Sequence, residues 1–219
     1  MLVKDFITKR IPVLRSYDTV EYALSLMDDL KLRHLPLLDE HVYVCLVSEK
    51  DLLAMPDSSV VIGKPVLFAP SVSEEGNLHD ALAMITRYGL SLLPVVSTDG
   101  AYLGSVTRER LVDVLSELCA ADAEGSVIVL SMMPADYSLT DLARLVEANH
   151  AHVLNLLSYQ DKATGRLYLT LKIDLEDASP VIRSLERFDY VVLYHFMKKG
   201  LVDDMLRQRM NEVLYYMSM

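Results

Sequence analysis

The sequence predicts a mixed α/β (α+β) chain: two tandem copies of one helix–strand–strand–helix unit, then a ferredoxin-like βαββαβ domain and a C-terminal helix. Three observations predict it. One pattern of apolar and polar residues is written twice, about 58 residues apart. Past a small acidic segment the pattern changes to strands and helices in the order βαββαβ. The last stretch carries apolar residues at spacings of three and four. Self-similarity at a fixed period decides the architecture, so the repeat outranks the other two signals.

Leu35-Pro36-Leu37-Leu38 through Ser48-Glu49-Lys50-Asp51 is matched by Leu93-Pro94-Val95-Val96 through Thr107-Arg108-Glu109-Arg110. A helical pattern precedes each copy, Thr19-Val20 with Ala23, Leu24 and Met27, and Asn77-Leu78 with Ala81, Leu82 and Ile85. The offset is 58 residues at the helices and 59 at the hydroxyls, so the copies differ by one residue in a hairpin. Leu35–Leu38 and Val44–Val47 are apolar runs too short for helices, around a turn at Asp39-Glu40. Ser48 reads as an N-cap, with Asp51 three residues on and Leu52-Leu53 behind it. The first repeat spans 1–59 and the second 60–122. Neither can cover its own small sheet, so the two are expected to bury their strand faces on each other.

Together with the lead-in Val3-Lys4-Asp5-Phe6-Ile7-Thr8, the Asp18-Thr19-Val20 helix start and Arg33-His34-Leu35-Pro36-Leu37, this layout resembles the cystathionine-β-synthase (CBS) domain, a ligand-binding module found in tandem. The resemblance covers residues 1 to about 120. It implies a regulatory sensor that is not an enzyme, with an adenine nucleotide (AMP, ADP or ATP) as regulatory ligand and no required cofactor. It also implies a flat homodimer. In this family the matching hydroxyl and carboxylate, here Ser48 and Asp51, hold the ribose, and basic residues near Arg33 and His34 lie by the phosphate. Lys50 and Arg108 are further cations beside the motifs. Thr107 keeps the hydroxyl, but Arg110 replaces the carboxylate; a guanidinium cannot accept from ribose hydroxyls, though it can hold phosphate. Cys45 replaces the family's glycine, so the first turn is less open. A competing reading stays open, since Ser-x-x-Asp before an apolar run is also a capping box with Asp in place of Glu. Other ligands compatible with the layout are S-adenosylmethionine, a cyclic dinucleotide or an amino acid; a purely structural dimerisation module with a vestigial site is the remaining alternative.

Ala120–Gly125 reads as a linker. Beyond it, 126–132 is a strand, Pro134–Tyr137 a turn, and Ser138 caps a helix with Leu139, Leu142, Leu145 and Val146 on one face. Strands over 152–159 and 166–173 flank a turn at Asp161–Gly165. Pro180 sits in the first turn of a helix, where proline is tolerated, and 190–196 closes as a strand. The domain, 126–197, resembles the ACT domain, a regulatory module that often binds amino acids. Tyr137 and Pro134 stand where that family has glycine and aspartate, which favours a structural or dimerising role. In the terminal segment, 198–219, Val202, Leu206, Met210, Val213 and Met217 form the apolar face of an amphipathic helix.

Composition narrows the rest. With 52% hydrophobic residues in 219 the chain has ample material for cores. No apolar run approaches the roughly 20 residues of a membrane helix, and the first residues lack the apolar stretch of a signal peptide, so the expectation is a cytoplasmic protein with no membrane partner. Net charge is −10, without the clustered cations that nucleic-acid binding needs. Cys45 and Cys119 make no disulfide framework, and Cys45 reads as a buried thiol. His150-x-His152 has no acidic or thiol partner at a matching offset, so no metal site is expected. No phosphate-binding loop, nucleophile elbow or zinc-protease motif occurs, and no motif names a downstream protein partner.

Overall fold

Thr19 and Asn77 hold the same place in the two repeats and do the same work. The Thr19 hydroxyl accepts the Tyr22 amide at the start of α1 (Val20–Leu30), and the Asn77 side chain accepts the His79 and Asp80 amides at the start of α3 (Leu78–Tyr88). Each cap satisfies amides that lack a partner within the helix. The computed structural model describes residues 1–64 and 68–197; the expected C-terminal helix over 198–219 lies outside the described residues. The chain divides into two units, Met1–Leu115 and Ser116–Met219.

In the first unit, β1 (His34–Asp39) pairs antiparallel with β2 (Val42–Ser48), which runs into the short α2 (Glu49–Leu53). The second copy follows the same plan, with β3 (Val72–Ser73), α3, β4 (Leu92–Val96), β5 (Tyr102–Thr107) and α4 (Arg108–Leu118). Both hairpins carry a bulge in the same place, between Leu37 and Leu38 and between Val95 and Val96. Leu37 pairs with Cys45 and Val95 with Gly104, so the extra residue of the second copy lies in its hairpin loop. Leu14 bridges Leu37 in parallel just as Val72 pairs with Val95.

The repeats exchange their lead-in segments. Thr8 and Ser105 trade backbone hydrogen bonds of 2.8 and 3.1 Å, and the Val3 amide donates to the Gly76 carbonyl. In the other direction, the Leu46 amide donates to the Phe68 carbonyl at 3.3 Å. Gly104 permits the first crossing: its φ is +146°, and a Cβ there would run into the Ile7 side chain. A backbone this close to a neighbouring segment leaves no room for a side chain. The hairpins also meet directly, Val42 bridging Ala101 and the Tyr102 amide donating to His41. One apolar core results, with Leu35, Leu37, Val47, Leu92, Leu93 and Val106 all buried in it. The strand faces are covered by each other, as the repeat pattern requires.

In the second unit, β6 (Ser126–Met132), α5 (Leu139–Glu147), β7 (Val153–Gln160), β8 (Leu167–Ile173), α6 (Ser179–Arg187) and β9 (Val191–Phe196) follow in order. The sheet is antiparallel throughout, in the order β7-β8-β6-β9, the ferredoxin-like split. Leu142, Leu145, Val181 and Leu185 of the helices bury against Ile128, Leu130, Leu169 and Leu171 of the sheet. The acidic segment before β6 is pinned rather than loose. The Lys172 ammonium donates to the Ala120 and Ala121 carbonyls, and Asn155 donates to the Leu118 carbonyl at 2.9 Å. Gly125 (φ +135°) lies so close to the Ile173 carbonyl that no Cβ fits. No helix among the described residues is long and apolar enough to cross a membrane.

Candidate functional site

The site residues sit at one end of each hairpin. His34 and Ser48 are paired across β1 and β2, as Leu92 and Thr107 are across β4 and β5. The Glu49 amide, first in α2, donates to the Arg33 carbonyl at 2.9 Å, and the Arg108 amide, first in α4, donates to the Ser91 carbonyl at 3.0 Å. The hairpin register therefore places Arg33 and His34 beside the start of α2, which carries Ser48 and Asp51.

Ser48 and Asp51 form a closed capping box. The Ser48 hydroxyl accepts the Asp51 amide at 3.1 Å and donates to Asp51 Oδ2 at 2.6 Å; the same Oδ2 accepts the Ser48 amide at 3.3 Å. All three bonds stay within the pair and, among the described residues, use only one carboxylate oxygen. Oδ1 remains for an outside donor, and a diol could take Oδ2 by displacing the Ser48 O–H. In the second motif the Thr107 hydroxyl accepts the Arg110 amide at 3.1 Å. The cap is kept there and the carboxylate is not.

His34 touches the second repeat. Its Nδ1 accepts the Ser91 amide at 3.2 Å and lies 3.0 Å from the Ser91 hydroxyl, which in turn accepts the Arg33 amide at 3.2 Å. An Nδ1 that accepts an N–H carries no proton, so the neutral ring is the Nε2–H tautomer and the Ser91 hydroxyl donates to Nδ1. Burial is the main cause that holds the His34 pKa below its ordinary value of 6.5; the Arg33 charge lowers it further, Asp51 raises it and Arg108 lowers it. Arg33, Asp51 and Arg108 are thus all within electrostatic reach of one half-buried imidazole. Burial, and then the Asp51 charge, push the Cys45 thiol up, so it is a poor nucleophile.

Of the expected residues, the structure gathers Ser48, Asp51, Arg33, His34 and Arg108 at this junction. Thr107 and Arg110 stand at the equivalent end of the other hairpin. Lys50 is exposed on α2, and among the described residues no hydrogen bond or ion pair ties it to the others. His152 Nδ1 pairs with Asp174 Oδ2 at 2.7 Å, and among the described residues no three or more His, Cys, Asp or Glu side chains come together as a metal site would need. A cavity of about 450 Å³ by Arg15, Tyr17 and His41, and one of about 510 Å³ by Arg166, Asp136 and Asp189, are lined by other residues. Ser91, which contacts both Arg33 and His34, is the residue of this junction that sequence reasoning passes over. Its signal is its offset of 58 from Arg33, where the second copy offers a hydroxyl in place of a charge.

The CBS domain family model matches residues 3–57 and 61–117. Among solved structures the chain is similar to a CBS domain pair/ACT domain protein from Thermotoga maritima, at 28% identity and a TM-score of 0.48, over 53% of this chain and 98% of that one. It is similar to CBSX2 from Arabidopsis thaliana, at 29% identity and a TM-score of 0.48, over 53% and 95%. A structure of CBSX2 in complex with AMP matches at 30% identity and a TM-score of 0.47, over 53% and 97%.

Proposed function

The chain belongs to the CBS domain family, and from that premise we propose that it is a regulatory, non-catalytic sensor whose first repeat binds an adenine nucleotide. The observation that carries this reading is the junction where Arg33 and His34 meet the start of α2 and, through Ser91, the start of α4, which brings Ser48, Asp51 and the two arginines to one end of the paired hairpins. A carboxylate that can accept from both ribose hydroxyls stands beside cations that can face a phosphate. The second motif has Arg110 in place of the carboxylate, so the reading is one nucleotide per chain. Residues 126–197 act in this reading as an ACT-like domain that relays or dimerises, within a cytoplasmic homodimer. Any regulation works through the difference in nucleotide affinity between two arrangements of the protein.

The closed capping box favours a second reading, in which Ser48 and Asp51 only start α2 and the module is structural. Calorimetry with AMP, ADP and ATP separates the two. Losing charge-assisted hydrogen bonds costs about 1.5–3 kcal/mol, so Asp51→Ala is expected to weaken binding roughly ten- to a hundred-fold. Unchanged affinity in a folded Asp51→Ala protein, or no nucleotide bound by the wild type, leaves the structural reading.

A further inference from the structure

We infer that Ser91, in the second repeat, is a positioning residue for the nucleotide site of the first, acting through His34 and Arg33. The inference rests on the nucleotide reading above for its ligand and on geometry for its mechanism. Three hydrogen bonds converge on the Ser91 side chain and amide: Arg33 N–H to Oγ, the Ser91 O–H to His34 Nδ1, and the Ser91 N–H to the same Nδ1. Ser91 is buried, so water does not stand in for a lost partner.

The contacts extend in both directions. Arg33 O accepts the first amide of α2, which carries Ser48 and Asp51, and Ser91 O accepts the first amide of α4. A continuous run of hydrogen bonds therefore joins the starts of the two motif helices through Arg33 and Ser91. The symmetry of the repeats is broken here, since His34 of the first copy faces Ser91, while its counterpart Leu92 offers no polar atom on its side chain.

The arrangement requires a neutral imidazole. A proton on Nδ1 leaves the Ser91 N–H pointing at a donor, so the junction opens on the acid side. The charged groups that act on the ring are Arg33 beside it, Asp51 from α2 and Arg108 from α4. Two roles for His34 thus give opposite signs. An imidazolium that grips phosphate directly makes nucleotide affinity rise as pH falls through the ordinary histidine range. A neutral ring held by Ser91 makes affinity fall.

The test uses the full chain in two arms. In the ligand-free arm, histidine ring signals are followed by NMR from pH 8 to 5, with His34 assigned by its absence in His34→Asn. The expected result is an Nε2–H ring titrating below the ordinary range, and a shift back toward that range in Ser91→Ala. In the second arm, AMP affinity of the wild type falls between pH 7.5 and 5.5, His34→Asn flattens that profile, and Ser91→Ala weakens AMP about two- to tenfold at pH 7.5, the loss expected for one neutral hydrogen bond. An Nδ1–H tautomer, an unmoved His34 titration in Ser91→Ala, or affinity that rises in acid overturns the inference. If the ligand-free arm holds and the wild type binds no AMP, the nucleotide reading falls and the Ser91–His34–Arg33 junction stands.

Discussion

At the scale of single residues, the most exacting position is Gly104. Its φ of +146° and its contact with Ile7 both exclude a side chain, whereas Cys45 occupies the matching place in the first hairpin, buried in the core. Gly104→Ala is expected to cost about 1–3 kcal/mol, the range for a residue forced into a disallowed backbone region, read as a lower urea midpoint at unchanged slope. His34 makes a second prediction. Its pKa is lowered in the folded state, so the unfolded chain binds the proton more readily. The stability this ring contributes is complete above the ordinary value of 6.5 and drains away as pH falls from there toward the lowered value. Melting temperature should therefore decline between pH 7.5 and 5.5, by less in His34→Asn; equal declines in the two proteins would remove His34 as the cause.

At the scale of elements, the two motif helices begin alike and differ in length. Ser48 caps a helix of 5 residues and Thr107 leads into one of 11. Removing either hydroxyl costs about 0.5–2 kcal/mol, so Ser48→Ala and Thr107→Ala are expected to lower stability by similar amounts in thermal unfolding. Only Ser48→Ala should also change nucleotide affinity. These elements were legible because their signals are local: a hydroxyl three residues before its partner, apolar residues at helical spacing, and a one-residue offset that the hairpin loop absorbs. The ferredoxin-like order was legible for the same reason. The exchange of lead-ins was not, since Thr8 and Ser105 carry no mark of each other across the intervening chain. Nor was the work of Ser91, a small polar residue that local pattern reads as lacking a charge. The acidic stretch 120–125 reads as a linker by composition, yet Lys172 and the close approach of Gly125 to Ile173 hold it in place.

At the scale of the whole molecule, the separate cores of the two units make a cut informative. Residues 1–122 alone are expected to fold and to bind nucleotide as the full chain does, because every residue gathered at the candidate site precedes the cut. A folded fragment that binds no nucleotide while the full chain does would give the C-terminal domain a part in the site. The full chain is expected to sediment as a dimer at micromolar concentrations; a 24.7 kDa species at those concentrations would contradict that assembly.

The exchanged lead-ins also set a timetable for the ribosome. Residues 3–8 cannot reach their places until Gly76 and then Ser105 have been made, because those are the groups that receive them. At roughly 5–20 residues per second, the amino terminus of a nascent chain waits on the order of 5–20 s for Ser105. During that interval the first hairpin has its own turn and caps but not the neighbour that covers its strands. The first repeat is thus a clause that stays unfinished until the second has been spoken, and a chain released after residue 60 leaves the translation machinery as a substrate for proteases.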